Sequence, residues 1–155
     1  MPLVGIALGS NLGDRRSHLD SAVASLRAIL ADLRVSGVFE TEPVDVVGPQ
    51  GPFLNAAVAG EFDGTARDLL VELQDMERAH WRERPHPGAP RTLDLDLIFF
   101  GAELLDEAGL VVPHPRFRDR RFVLEPLAEV APDWRDPVTG LTVRELLLRL
   151  PSLPA

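Results

Sequence analysis

The chain has 155 residues, 45% of them hydrophobic and 26% charged, enough for one domain with one core. It contains neither cysteine nor lysine, so all 16 basic residues are arginine, and with 24 acidic residues the net charge is −8. That composition excludes disulfides, thiolate metal sites, and a Schiff-base or P-loop lysine. It also argues against a general binder of nucleic acid or of an anionic membrane.

Leu3 to Leu8 is a short apolar run that predicts a buried strand, ending in the turn Gly9-Ser10-Asn11-Leu12-Gly13-Asp14. A helix follows from about Asp14 to Ala31, capped by Asp14 or a near neighbour. Leu19, Val23, Leu26, Ile29, Leu30 and Leu33 recur there at helical spacing. Gly-Ser-Asn before a helix can cradle a phosphate, and it is also an ordinary strand-to-helix turn. Arg34 to Thr41 predicts the second strand. Glu42 to Pro52 has three prolines and two glycines and reads as a loop too long for a hairpin turn. Phe53 to Phe62 predicts a third strand paired with the second. Asn55 is a polar intruder in it, which either caps the loop or meets the donor–acceptor edge of a heterocycle.

Thr65-Ala66-Arg67-Asp68 opens a second helix with capping-box spacing, and Leu69, Leu70, Leu73 and Met76 form its apolar stripe. Gln74 and Glu77, three apart, occupy neighbouring positions on one face of that helix. Arg78, Arg82 and Arg84 run past its end, a pattern that by itself reads as a solvated face. Arg84 to Pro90 holds three prolines, so it is neither helix nor central strand. It is a loop that feeds the next strand.

That strand is Leu93 to Phe100. Alternation sets Leu93, Leu95, Leu97 and Phe99 on one face and Asp94, Asp96 and Ile98 on the other. Two carboxylates on one face of an apolar strand repel each other and resist desolvation. A divalent cation resolves the conflict, and Mg²⁺ is typically held by one or two carboxylates together with phosphate oxygens. Arg91, just upstream, is of the type that grips phosphate with two parallel hydrogen bonds. The Asp-Leu-Asp triplet alone also fits the commoner case of an edge strand with a wet outer face.

Gly101 to Leu110 reads as a turn with a short excursion. From Val111 to Phe122 four arginines surround His114 in a second arginine-rich loop, where His114 is either structural or a phosphate contact. Phe122 to Val130 predicts a short helix. Thr142-Val143-Arg144-Glu145 is a capping box with Leu141 and Leu146 as its staple, opening a terminal helix to Leu150. The order β-α-β-β-α-β, then short helices, with no repeat and no boundary, predicts a single α+β domain over residues 1–155. Its class is the ferredoxin-like split βαβ sandwich, with both helices on one face of the sheet and the other face left to a ligand and its long loops. No apolar run is long enough to span a bilayer and no basic-then-apolar leader opens the chain, which predicts a cytoplasmic protein.

Gly9-Ser10-Asn11-Leu12, Gly48-Pro49-Gln50, Phe53-Leu54-Asn55-Ala56-Ala57, Glu77 with Arg82 and Arg84, Pro90-Arg91-Thr92-Leu93-Asp94-Leu95-Asp96, and Pro113-His114 with Arg120 and Phe122 resemble the 6-hydroxymethyl-7,8-dihydropterin pyrophosphokinase (HPPK) family over nearly the whole chain. The resemblance implies an enzyme of tetrahydrofolate biosynthesis that moves pyrophosphate from ATP to the pterin hydroxymethyl group and releases AMP. It implies that Asp94 and Asp96 bind two Mg²⁺ ions per ATP and that Arg82, Arg91, Asp94 and Asp96 are catalytic. Gln74, Glu77, Arg82, Arg84, Arg91, Ile98, His114 and Arg120 are the implied ATP-binding residues. Thr41, Pro43, Val44, Phe53, Asn55, Asp94 and Phe122 are the implied pterin-binding residues, with the two phenylalanines sandwiching the ring. The partners implied are ATP and the pterin, with no nucleic acid and no membrane, and a monomer is expected. The stretch Pro85-His86-Pro87-Gly88-Ala89 departs from the family pattern, being shorter and lacking an arginine and a bulky ring. A ferredoxin-like module that binds a nucleotide or a protein without catalysis is the alternative, and an RNA-binding module fits the acidic charge poorly.

Overall fold

Val4, Ile6 and Leu8 are buried on one side of β1 (Leu3–Ser10), the strand on which the rest of the molecule is assembled. A computed structural model describes residues 1–41, 52–80 and 93–151. β1 pairs antiparallel with β4 (Phe53–Glu61) on one side and β5 (Asp94–Phe100) on the other. β2 (Ala31–Val35) and β3 (Phe39–Thr41) both pair with β4, so the order is β2-β4-β1-β5 with β3 continuing the β2 edge. This is the ferredoxin-like arrangement expected from the element order.

The second predicted strand is therefore two short ones. Ser36 joins them: its N–H donates to the Ala57 carbonyl at 2.9 Å, and the Ala57 N–H donates to its hydroxyl at 2.8 Å. A side-chain oxygen thus replaces one carbonyl of the ladder.

α1 (Arg15–Ile29) starts on Asp14, whose carboxylate accepts the Ser17 N–H at 3.1 Å. It ends two residues before the expected Ala31, and Leu33 lies on β2. α2 (Ala66–His80) starts on a reciprocal cap in which Thr65 and Asp68 each accept the other's N–H. Both helices pack against one face of the sheet through Leu19, Leu26, Leu69 and Leu73, onto Val4, Ile6, Leu8 and Val58.

The opposite face is not left open along its length. A 3-10 turn (Phe117–Asp119), α3 (Arg121–Val130) and α4 (Val143–Arg149) cover its far half and bury a second core with Ala57, Ala59, Ile98 and Phe99. α4 carries the predicted capping box between Thr142 and Glu145. A register shift between Gly5 and Ile6 relative to β5 breaks the alternation of that strand. Phe99 accordingly shares the second core with Ile98 and does not join Leu93, Leu95 and Leu97. Gly5 makes the shift possible, since a Cβ there would lie 2.3 Å from the Phe99 ring. Trp134 stacks on Phe99 at 4.0 Å and donates its indole N–H to the Gly101 carbonyl at 2.9 Å.

Two further features went unpredicted. β6 (Leu105–Glu107) and β7 (Leu110–Val112) form a small hairpin. Asp136, fully buried, holds Arg118 through two hydrogen bonds of 2.6 and 2.9 Å. No helix among the described residues is long and apolar enough to cross a membrane.

Candidate active site

Among the described residues, helix cover stops short at one end of the second face. There the register aligns Asn55 of β4, Gly9 of β1 and Asp94 of β5 in one row. The next row inward is Ala57, Ala7 and Asp96. Between the amide and the first carboxylate the sheet therefore presents only main chain. A Cβ built on Gly9 would meet Asn55 Oδ1 at 3.5 Å and the Phe53 ring at 3.6 Å. Asn55 is 5% exposed, and its Nδ2 donates to the Thr41 hydroxyl on β3, which turns Oδ1 toward Gly9. Among the described residues, amide, ring and glycine thus form a recess floored by main chain, with a carboxylate at its far side.

Asp94 and Asp96 are both half-buried on this face. Among the described residues β5 is the sheet edge, and α2 packs against it. Glu77 of α2 accepts the Leu95 N–H at 2.9 Å, so its carboxylate sits against the main chain between the two aspartates. Burial is the largest cause pushing Glu77 up to about 7, and Asp94 and Asp96 push the same way against the Leu95 N–H. Three carboxyl groups compete here for too little solvation. Gln74 lies one turn earlier on α2 and is exposed.

Among the described residues no three His, Cys, Asp or Glu side chains are grouped as metal ligands. Two half-buried oxygen donors on one face nonetheless suit a hard cation. Such an ion takes its remaining ligands from water and phosphate oxygens and relieves the crowding.

His114 lies beyond the hairpin, and its N–H donates to the Ile98 carbonyl at 2.7 Å, two residues past Asp96. Its Nδ1 accepts the Arg116 N–H at 3.1 Å, which leaves Nε2 to carry the ring proton. Burial, then Arg120 and Arg116, hold His114 down at about 4, so the ring is neutral near pH 7. Arg120 lies over the Phe122 ring, 5.5 Å from its centre. Phe122 opens α3 and is half-buried against the second core.

The sheet thus brings together Thr41, Phe53, Asn55, Asp94 and Asp96, and Glu77 meets them from α2. Ile98 is 1% exposed, so its side chain belongs to the second core, and its carbonyl accepts the His114 N–H. Pro43, Val44, Arg82, Arg84 and Arg91 lie outside the described residues, as does the stretch Pro85 to Ala89. Arg78 pairs with Asp75 at 2.9 Å on an exposed face, as the charge pattern suggested. Sequence reasoning read Gly9 as part of a turn or a phosphate cradle and not as a floor. The signal was present in Gly9-Ser10-Asn11, but a glycine's use as a floor depends on which strands flank it.

The family model described as 7,8-dihydro-6-hydroxymethylpterin-pyrophosphokinase (HPPK) matches residues 5–132. A relative from Synechocystis, named 2-amino-4-hydroxy-6-hydroxymethyldihydropteridine pyrophosphokinase, is 39% identical over 143 residues, 92% of this chain and 73% of its own length. A Bacillus subtilis relative with the same name is 43% identical over 127 residues, 81% of this chain and 75% of its own length. A crystal structure of Plasmodium falciparum HPPK-DHPS shares the fold with a TM-score of 0.77 at 14% identity. It is covered over 44% of its length by 95% of this chain.

Proposed function

The chain belongs to the 7,8-dihydro-6-hydroxymethylpterin-pyrophosphokinase family, and we propose how its own residues divide that family's reaction. It is a pyrophosphokinase of folate biosynthesis, transferring pyrophosphate from ATP to 6-hydroxymethyl-7,8-dihydropterin and releasing AMP.

The pterin lies flat over Gly9, with Asn55 Oδ1 at its donor edge and Phe53 and Phe122 against its faces. Stacking of this kind contributes roughly 0.5–1.5 kcal/mol per ring beyond area burial. Thr41 holds the Asn55 amide so that its oxygen stays turned to the floor, and Pro43 and Val44 extend the pocket. What supports this is the row Asn55–Gly9–Asp94, which sets a heterocycle-reading amide opposite a carboxylate across a floor without side chains.

Asp94 and Asp96 would hold two Mg²⁺ ions per ATP. Bound there, the metal supplies neutralisation of the triphosphate charge. Glu77 fixes Leu95, and with it the spacing of both aspartates, through its 2.9 Å hydrogen bond. His114 offers an N–H from a neutral ring, and Arg120, Arg82, Arg84 and Arg91 take up phosphate charge. Gln74 lies beside Glu77 at the nucleotide. Pyrophosphoryl transfer demands positioning and charge neutralisation more than covalent help from the protein. We propose that residues 1–155 act as one pyrophosphokinase domain and that the enzyme is a monomer.

Calorimetry with a non-hydrolysable ATP analogue tests the metal assignment. Binding should need Mg²⁺ and should strengthen the binding of the pterin. Nucleotide binding indifferent to both would favour a non-catalytic module.

A further inference from the structure

Arg15 is the first residue of α1 and lies far in sequence from the groups assigned to the pterin. Its Nη1 donates to the Pro52 carbonyl at 2.8 Å, and its Nη2 lies 3.6 Å from the Glu40 carboxylate. Those two partners adjoin the last described rung of the β3–β4 ladder, where Thr41 faces Phe53. Among the described residues β3 is three residues long, and so short a ladder opens at little cost. The same rung bears two groups of the recess: the Thr41 hydroxyl that accepts from Asn55, and the Phe53 ring against Gly9. One guanidinium therefore clasps both strands at the point where they carry those groups. It does so from the helix that begins just after β1, the strand that supplies the floor.

We propose that Arg15 is a positioning residue that sets the enzyme's affinity for the pterin, acting through the Thr41–Phe53 rung and touching neither substrate. The inference rests on reading the Phe53–Asn55–Asp94 recess as the pterin site. Its physical basis is preorganisation: a rung already closed before binding spares the ligand the cost of ordering it. The planar fork of arginine reaches a carbonyl and a carboxylate from two separate nitrogens, whereas the three donors of a lysine ammonium all radiate from one compact nitrogen.

Steady-state kinetics of Arg15→Met, Arg15→Lys and Glu40→Gln test this. For Arg15→Met the pterin KM should rise about tenfold, as expected for loss of a charge-assisted hydrogen bond. Its kcat and its KM for ATP should stay within about twofold of wild type. Arg15→Lys should fall between, and Glu40→Gln should show a smaller rise in the same constant. An unchanged pterin KM in Arg15→Met would overturn the proposal, as would a fall in kcat with a matching rise in the ATP constant. Should Arg15→Met not fold, Arg15→Lys and Glu40→Gln decide, and wild-type pterin constants in both would overturn it. If the wild-type protein made no AMP, the pyrophosphokinase reading would fail. A fluorescence titration with the pterin alone then reads the role of Arg15 directly: weaker binding by Arg15→Met sustains it, and equal binding ends it.

Discussion

Asn55 and Asp94 lie on one row of the sheet, two strands apart, with the side-chain-free Gly9 between them. Gly5, four residues earlier on the same face of β1, also lacks a side chain for a reason that can be told apart. At Gly5 a Cβ would collide with the Phe99 ring at 2.3 Å, and Trp134 pins that ring by stacking at 4.0 Å. At Gly9 a Cβ would find ordinary contacts of 3.5 and 3.6 Å. Gly5→Ala should therefore destabilise the fold by about 2 kcal/mol through overpacking. Gly9→Ala should leave the melting temperature unchanged but raise the pterin KM about tenfold by filling the floor. Thermal melts and pterin kinetics on the two variants check this, and an interchange of the two effects would contradict it.

Glu77 makes the metal-free protein sensitive to pH. Its carboxyl titrates at about 7 in the fold against an ordinary 4.5, so over that interval the folded state holds more protons than the unfolded one. The stability tied to this group is complete below the lower value and is lost as pH rises through the upper one. Glu77→Gln keeps an oxygen for the Leu95 N–H and removes the charge. In chelator, its melting temperature should gain on wild type as pH rises from about 5 to about 8. The gain should reach about 1 kcal/mol, ~3 °C, after the screening that partial exposure brings. Parallel curves would contradict the charge crowding around Asp94 and Asp96.

His114 should show no titration near its ordinary value of 6.5. Burial beside Arg120 and Arg116 holds it at about 4, so between those values the unfolded state binds the extra proton. Its contribution to stability falls as pH drops through that window. The ring resonances of His114 followed by NMR should stay in the neutral position down to about pH 5. A midpoint near 6.5 would place the ring in water.

Asp136 anchors the turn after α3. Burial pushes its carboxyl up, but Arg118, the Thr139 hydroxyl and the Val138 N–H together hold it at about 2. Its stabilising effect is complete above the ordinary 3.8 and is lost as pH falls toward that lower value. Asp136→Asn should cost about 3 kcal/mol at neutral pH, because the Arg118 charge loses its partner. The cost should shrink in acid. A neutral effect at pH 7 in chemical denaturation would contradict the anchoring role.

The alternation of Leu93 to Leu97 with Asp94 and Asp96, the cap at Asp14 and the boxes at Thr65 and Thr142 were legible because each is local. The face of Phe99 was not, since it depends on a register shift set by Gly5 on another strand. The cover over the second face was equally hidden: the amphipathic pattern from Phe122 to Val130 fixes a helix but not the sheet face it meets. Asn55 and Asp94 could be singled out one at a time. That Gly9 lies between them, and that Arg15 reaches Pro52 and Glu40, are long-range facts of topology with no trace in spacing.

The most direct test is to supply ATP and 6-hydroxymethyl-7,8-dihydropterin to wild type and to Asp94→Asn, with Mg²⁺ or with chelator, and to identify the nucleotide product. Wild type should release AMP only with Mg²⁺, and Asp94→Asn should be slower by ~10³-fold, as when a main charge-stabilising contact is removed, while melting no lower than wild type. ADP as the product, or AMP at an undiminished rate from the variant or in chelator, would contradict the account.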